Sequence, residues 1–175
     1  MVRTRHLSCR AWPKRMVSPI EDDINARVST QMYGVLDVAR EGGVMAEEFG
    51  QFCREHLCME SWGFIVDVVC YEEMSPTDPQ QDQFEAFRTA LVQYLLPTSP
   101  DEINVSSSMR KRIASYGTRD NFDGLGASDQ KTIFREPLKE IVRVLEQNLL
   151  NKFKLGVVLR QGEKLLCCGW SLYGE

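Results

Sequence analysis

Apolar residues recur at helical spacing along most of the chain and divide it into amphipathic segments. The first segment has Ser18-Pro19 at its start, followed by three acidic residues, which together are typical of a helix N-terminus. Gly42-Gly43 ends it. Its apolar face consists of Ile24, Val28, Met32, Val35 and Ala39. The pattern predicts a helix between these two signals.

The next two segments arrange their apolar residues differently. Residues 45–56 place Phe49, Phe52 and Cys53 on one helical face. Residues 62–71 are apolar almost all round, and periodicity alone does not separate a buried helix from a buried strand. The β-branched residues favour a strand, but the length and the helical neighbours favour a central buried helix, which we expect.

The second half of the chain predicts three more helices. Asp78-Pro79 opens one that stops at residues 97–100, and one of Ser106 to Ser108 caps a short helix after an extended piece at 102–105. We interpret residues 118–131 as a loop. Pro137 moves the start of the last helix beyond Phe134. Two of these helices have a long apolar face. In the first it consists of Phe84, Phe87, Leu91, Tyr94 and Leu95, and in the last of Phe134, Leu138, Ile141, Leu145 and Leu149.

The two ends of the chain differ in character from its middle. Residues 1–17 predict a flexible basic tail, residues 18–155 one all-α domain, and residues 156–175 a C-terminal extension. Within the extension, Gln161-Gly162 suggests a hairpin, although the flanking alternation is poor. No apolar run approaches the length of a membrane span, about 20 residues.

Charge and cysteine content limit which classes of partner and which cellular compartment the sequence predicts. The first 20 residues hold five basic side chains and no acid, out of 21 basic and 25 acidic in the whole chain. An acidic body argues against nucleic acid as a partner. The basic tail would contact anionic lipid only weakly, if it is not simply solvated. The six cysteines lack metal-binding spacing and predict free thiols in the cytoplasm, with Cys9 and Cys167-Cys168 as candidate acylation sites.

Only one residue pair suggests catalysis. Cys53 and His56 would lie on neighbouring helical faces, but nothing nearby supplies an orienting group or an oxyanion pocket. A buried cysteine and a surface histidine at a helix end explain them better. Phosphate-binding, dinucleotide-binding and metalloprotease motifs are missing. The sequence therefore predicts a binding module with no catalytic site, cofactor or metal.

Three ordered segments resemble the regulator-of-G-protein-signalling (RGS) domain family. They cover 44–154, and the spacing within each matches the family without gaps. The first is Phe49-x-x-Phe52, Glu60-Ser61-x-x-Phe64 and Tyr71; the second is Glu102-Ile103-Asn104-Val105 with Arg110; the third runs from Phe134 to Phe153. The resemblance implies the RGS fold, with a four-helix bundle subdomain and a terminal-helix subdomain.

The resemblance also implies a partner and a contact surface. RGS domains bind the Gα subunit of a heterotrimeric G protein in its GTP-bound or transition-state-like form, and they speed GTP hydrolysis by holding its switch segments, because Gα carries its own catalytic arginine. We expect this chain to be a monomer. At the family's contact positions, this chain keeps the asparagine that reaches the Gα glutamine, as Asn104. The other positions carry Leu57, Glu60, Ser61, Val144, Asn148 and Lys152.

Several of these contact residues depart from the family. Ser61 stands in place of an asparagine, Asn148 in place of an aspartate and Lys152 in place of the arginine that braces it. Each change weakens a polar contact. Two functions therefore remain open: a GTPase-activating protein for Gα, acting in the cytoplasm or at the inner face of the plasma membrane, and a scaffold that binds Gα or another signalling protein without acceleration.

Overall fold

The computed structural model describes residues 34–75 and 82–157. The predicted Ser18-Pro19 start, the Asp78-Pro79 cap, the Gln161-Gly162 hairpin and the candidate acylation sites lie outside these ranges. Within them every regular element is a helix, which confirms the all-α prediction. The helices are α1 (Val35–Glu41), α2 (Gly43–Glu55), α3 (Met59–Glu73), α4 (Gln83–Ala90), α5 (Ser107–Ala114), α6 (Arg119–Asp123), α7 (Ala127–Lys131) and α8 (Arg135–Leu145).

Two of the helices continue through π-helical turns. Leu91–Leu95 extends α4, and Glu146–Leu150 extends α8. The chain after the second turn is α-helical again over residues 151–157, here called α9. Single π-turns inside helices are uncommon and often mark functional positions.

The apolar segment at 62–71 forms the centre of the fold. It lies in α3, which packs against α1, α2, α4 and α8. A helix that is surrounded on several sides needs apolar residues around most of its circumference. The apolar residues of this segment, including the β-branched ones, therefore suit a buried helix. The close packing of α2 on α3 depends on Gly50, since a Cβ there would lie 2.9 Å from Nε1 of Trp62.

Two helices begin with side-chain caps, and the cap of α4 is Asp82 rather than the Asp78 that the sequence predicted. Asp82 caps α4 by accepting hydrogen bonds from the Phe84 and Glu85 amides, and Ser106 caps α5 through the Met109 amide. The last helix begins after Phe134, as Pro137 predicted. The proline lies in the first turn, where its missing N–H would have no intrahelical partner.

The interpretation of residues 118–131 as a loop is wrong. They form the short helices α6 and α7, attached to the core through buried Phe122. The side-chain amide of Gln130 donates to the carbonyls of Phe122 and Leu125, at 3.0 and 3.3 Å. The Gln130 carbonyl in turn accepts from the Tyr71 hydroxyl. Side-chain hydrogen bonds thus hold helices that are too short and polar to show a helical stripe.

Aromatic rings pack in two clusters of the core, one around Phe134 and one around Phe153. Phe134 contacts Phe64, Tyr71 and Phe87 with ring centroids 5.3 to 6.1 Å apart. At the other end, Phe153 of α9 contacts Phe49 of α2, with centroids 5.0 Å apart. No helix within 34–75 or 82–157 is long and apolar enough to cross a membrane.

Candidate functional site

The turn between α2 and α3 presents an apolar side chain to solvent. The Cys58 amide donates to the Cys53 carbonyl and the Leu57 amide to the Arg54 carbonyl, at 3.0 and 3.2 Å. This pair of hydrogen bonds is the Schellman motif, which places the residue after the C-cap in the left-handed region. That residue is Leu57, with φ of 55° and an 89% exposed side chain. Glycine usually fills this position, so leucine here carries backbone strain without any compensating burial.

The first turn of α3 follows directly. Glu60 and Ser61 are half-buried there, and no side chain caps the helix. The carboxylate of Glu60 favours the positive end of the helix dipole. The turn and the start of α3 therefore carry three of the predicted contact residues within five positions.

Asn104 lies in the irregular segment between α4 and α5. Its side chain is exposed, and no residue of the described chain accepts or donates a hydrogen bond to its amide. The helix that follows is capped by Ser106, so Asn104 does not cap it. Closing a turn or capping a helix is the ordinary structural use of asparagine, and neither applies here.

The segment that carries Asn104 is nevertheless fixed to the domain. The amides of Asp101 and Ile103 donate to the carbonyls of Gln93 and Tyr94, at 3.1 and 3.0 Å. The Gln93 side chain donates to the Asp101 carboxylate at 2.6 Å. Asn104 therefore projects from a backbone with defined geometry.

Tyr94 also connects this segment to α3. Its hydroxyl donates to the Asp67 carboxylate at 2.7 Å, and its ring contacts Phe64. Gly63 makes room for this approach, since a Cβ there would lie 3.1 Å from the Tyr94 hydroxyl oxygen, a tight contact. A short path thus joins Asn104 to the helix whose first turn holds Glu60 and Ser61.

The remaining predicted residues follow one another along α8 and its continuation. Val144 is exposed near the end of α8, Asn148 is exposed in the π-helical turn, and Lys152 is exposed in α9. Neither Asn148 nor Lys152 has a side-chain hydrogen bond or ion pair within the described residues. The contacts of Phe153 with Phe49 and Phe52 place α9 against α2, the helix that ends in the Leu57 turn.

All seven residues are thus exposed or half-buried, and they lie on three segments: the α2–α3 turn with the first turn of α3, the irregular segment between α4 and α5, and the stretch from the end of α8 into α9. Sequence reasoning noted Arg110 only as a family residue and missed its contacts. The guanidinium of Arg110 donates to the Ile103 carbonyl at 2.7 Å and pairs with the Glu102 carboxylate. That contact holds the pKa of Glu102 below its ordinary value. The sequence signal for this ion pair was the spacing of Glu102 and Arg110, eight residues apart.

Cys53 and His56 lack the arrangement of a nucleophile and its base. Cys53 is fully buried, and burial raises the pKa of its thiol well above the ordinary value. His56 is exposed, with Nδ1 2.9 Å from the Phe52 carbonyl oxygen. In the described parts of the chain, no group of three or more His, Cys, Asp or Glu side chains is positioned to hold a metal ion.

Comparison with known proteins agrees with this geometry. The family model of the regulator of G protein signaling domain matches residues 39–156, well over half of the chain. No curated protein matches the chain. The match includes every segment that carries the candidate contact residues, and it implies regulation of G-protein signalling with a Gα subunit as the general partner. The chain therefore belongs to the RGS domain family.

Proposed function

We propose that this chain binds an activated Gα subunit in its transition-state-like form and accelerates its GTP hydrolysis. The contact surface consists of Leu57, Glu60, Ser61, Asn104, Val144, Asn148 and Lys152. The chain contributes no catalytic group, because Gα carries the arginine that stabilises the transferred phosphoryl group. Acceleration comes from binding the hydrolysis-ready arrangement of the Gα switch segments more tightly than other arrangements.

The observation that best supports this proposal is that the Asn104 side chain is exposed and makes no hydrogen bond within the described residues. Its segment is held by three hydrogen bonds at the backbone and one at a side chain, with Gln93, Tyr94 and Arg110 as the partners. An amide offers both donors and an acceptor, which suits contact with the glutamine that orients the attacking water in Gα. Because the segment is already ordered, little entropy is lost when it binds.

Leu57 supports the same surface by a different argument. A large apolar side chain that is 89% exposed contributes almost nothing to the fold, and its φ of 55° costs stability. Burial against a partner would recover the apolar contribution. The strained turn is thus understandable as a partner contact.

A second candidate function, binding without acceleration, is favoured by Asn148 and Lys152. The family's aspartate and its bracing arginine form a charged contact, whereas these two side chains have no polar partner within the described residues. An uncharged amide forms a weaker hydrogen bond to a backbone N–H than a carboxylate does. Gα could then be bound too weakly to hold its switch segments.

Nucleotide-state-selective capture tests the proposal. A panel of Gα subunits is loaded with GDP, with GDP and aluminium fluoride, or with a non-hydrolysable GTP analogue, and each form is incubated with the chain. We expect preferred capture of the fluoride form, lost in Asn104→Ala and kept in Asn121→Ala, which removes an exposed asparagine from α6. Equal capture of all forms, or none, would overturn the proposal. Single-turnover GTP hydrolysis then separates acceleration from binding alone.

A further inference from the structure

Arg110 joins α5 to the backbone on the N-terminal side of Asn104. One terminal nitrogen pairs with the Glu102 carboxylate, and the other donates to the Ile103 carbonyl at 2.7 Å. These two residues directly precede Asn104. The second carboxylate oxygen of Glu102 accepts from the Thr98 amide at 3.2 Å, where the backbone has a φ of 67°. Arg110 therefore links Glu102 and Ile103 directly, and Thr98 indirectly through the Glu102 carboxylate.

The shape of this contact requires arginine. Two parallel donors on a planar group reach a carboxylate and a carbonyl at once, whereas a lysine ammonium is a single point charge. The side chain is mostly buried, and its Nε has no hydrogen-bond partner in the described structure. An unpaired buried N–H costs stability, so the guanidinium lies where Glu102 and Ile103 require it rather than where all its donors are satisfied.

We propose that Arg110 is a positioning residue, which fixes the backbone of residues 98–103 so that Asn104 meets Gα in a defined orientation. This inference rests on the proposed function. The opposing explanation is that Arg110 only adds general stability, as an exposed ion pair does. The same helix provides the matched control: Arg112 pairs with Glu136 across to α8, and both side chains are about half exposed.

The experiment compares Arg110→Gln with Arg112→Gln in two readouts. Amide hydrogen exchange needs no partner, and we expect faster exchange at Thr98, Asp101 and Ile103 only in Arg110→Gln. Capture of the fluoride form of Gα should weaken about tenfold in Arg110→Gln, recover in part with Arg110→Lys, and stay unchanged in Arg112→Gln. Combining Arg110→Gln with Asn104→Ala should add little to the loss caused by Asn104→Ala alone.

Two outcomes would overturn the inference. One is unchanged exchange at these three amides in Arg110→Gln; the other is a full tenfold loss from Arg110→Gln in the Asn104→Ala background, which would mean that Arg110 acts independently of Asn104. Failure of the proposed function has a different result, since Asn104→Ala would then capture Gα as well as the unchanged chain does.

Discussion

Replacing Leu57 by glycine should preserve or raise the stability of the fold while it weakens partner binding. The residue lies at φ 55° in the Schellman turn after α2. A left-handed conformation costs a non-glycine residue about 1–2 kcal/mol, and glycine does not bear this cost. The perturbation therefore removes strain and an exposed side chain together.

The magnitude follows from the exposure of the side chain. Full burial of leucine contributes about 2 kcal/mol, and with 89% of it exposed the loss on deletion is only ~0.2 kcal/mol. Glycine also makes the unfolded chain more flexible, which costs about 0.4–1 kcal/mol. The free energy of unfolding of Leu57→Gly should lie between no change and a gain of about 1.4 kcal/mol. Leu57→Ala keeps the strain and should be nearly neutral.

The effect on the partner should have the opposite sign. If Leu57 becomes buried against Gα, both variants lose about 1–2 kcal/mol of binding free energy, roughly 5- to 30-fold in affinity. Urea denaturation measures the stability, and titration with the fluoride form of Gα measures the affinity. Val44→Ala is the control, because Val44 is 59% exposed at the opposite end of α2. A loss of more than 1 kcal/mol of stability in Leu57→Gly would refute the strain argument, and unchanged affinity would remove Leu57 from the interface.

Three further predictions test other parts of the structure. Asn148→Asp introduces a charged acceptor at an exposed position and should raise single-turnover GTP hydrolysis by Gα roughly three- to tenfold at sub-saturating concentrations of the chain; no increase there would show that this position does not limit acceleration. Gly50→Ala places a Cβ 2.9 Å from Trp62 Nε1 and should lower the free energy of unfolding by about 1 kcal/mol, whereas Gly156→Ala, which meets no atom within 4 Å, should not lower it. The pKa of Asp82 is lowered, chiefly by the hydrogen bond from Arg119, so ionised Asp82 stabilises the fold at neutral pH and that contribution is lost as pH falls below about 4. Asp82→Asn should flatten the decline of unfolding free energy as the pH falls from about 4 to about 2, and an unchanged slope there would contradict this.

Helices with an amphipathic stripe or a strong cap were predictable from the sequence, because a single segment contains all the information. The starts of α5 and α8 followed from Ser106 and Pro137 in this way. The helical state of α3 could be inferred only by weighing its length and neighbours, since its apolar residues show no periodicity. Residues 118–131 were misjudged because side-chain hydrogen bonds from Gln130 to the carbonyls of Phe122 and Leu125 hold them, and the sequence shows no periodic pattern for such contacts.

The candidate site likewise has features that the sequence predicted and features that only the structure revealed. Asn104 was recognisable by its family position, but its lack of a structural partner became evident only once Ser106 was seen to cap α5. The left-handed conformation of Leu57 was not predictable, since nothing in its side chain favours that region. Conformations imposed by surrounding hydrogen bonds are properties of the assembled fold.

The altered and the retained contacts should affect different quantities. In the proposed complex, Asn104 contacts the group that orients the attacking water, so we expect its contribution to depend on the nucleotide state of Gα. By contrast, if the Asn148 side chain accepts only a weak hydrogen bond from a backbone N–H of a Gα switch segment, the affinity falls for every state in which that N–H is accessible. Uniform losses reduce affinity but not the preference between states. We therefore expect weak overall binding to Gα with a strong remaining preference for the fluoride form, and acceleration that saturates only at high concentrations of the chain.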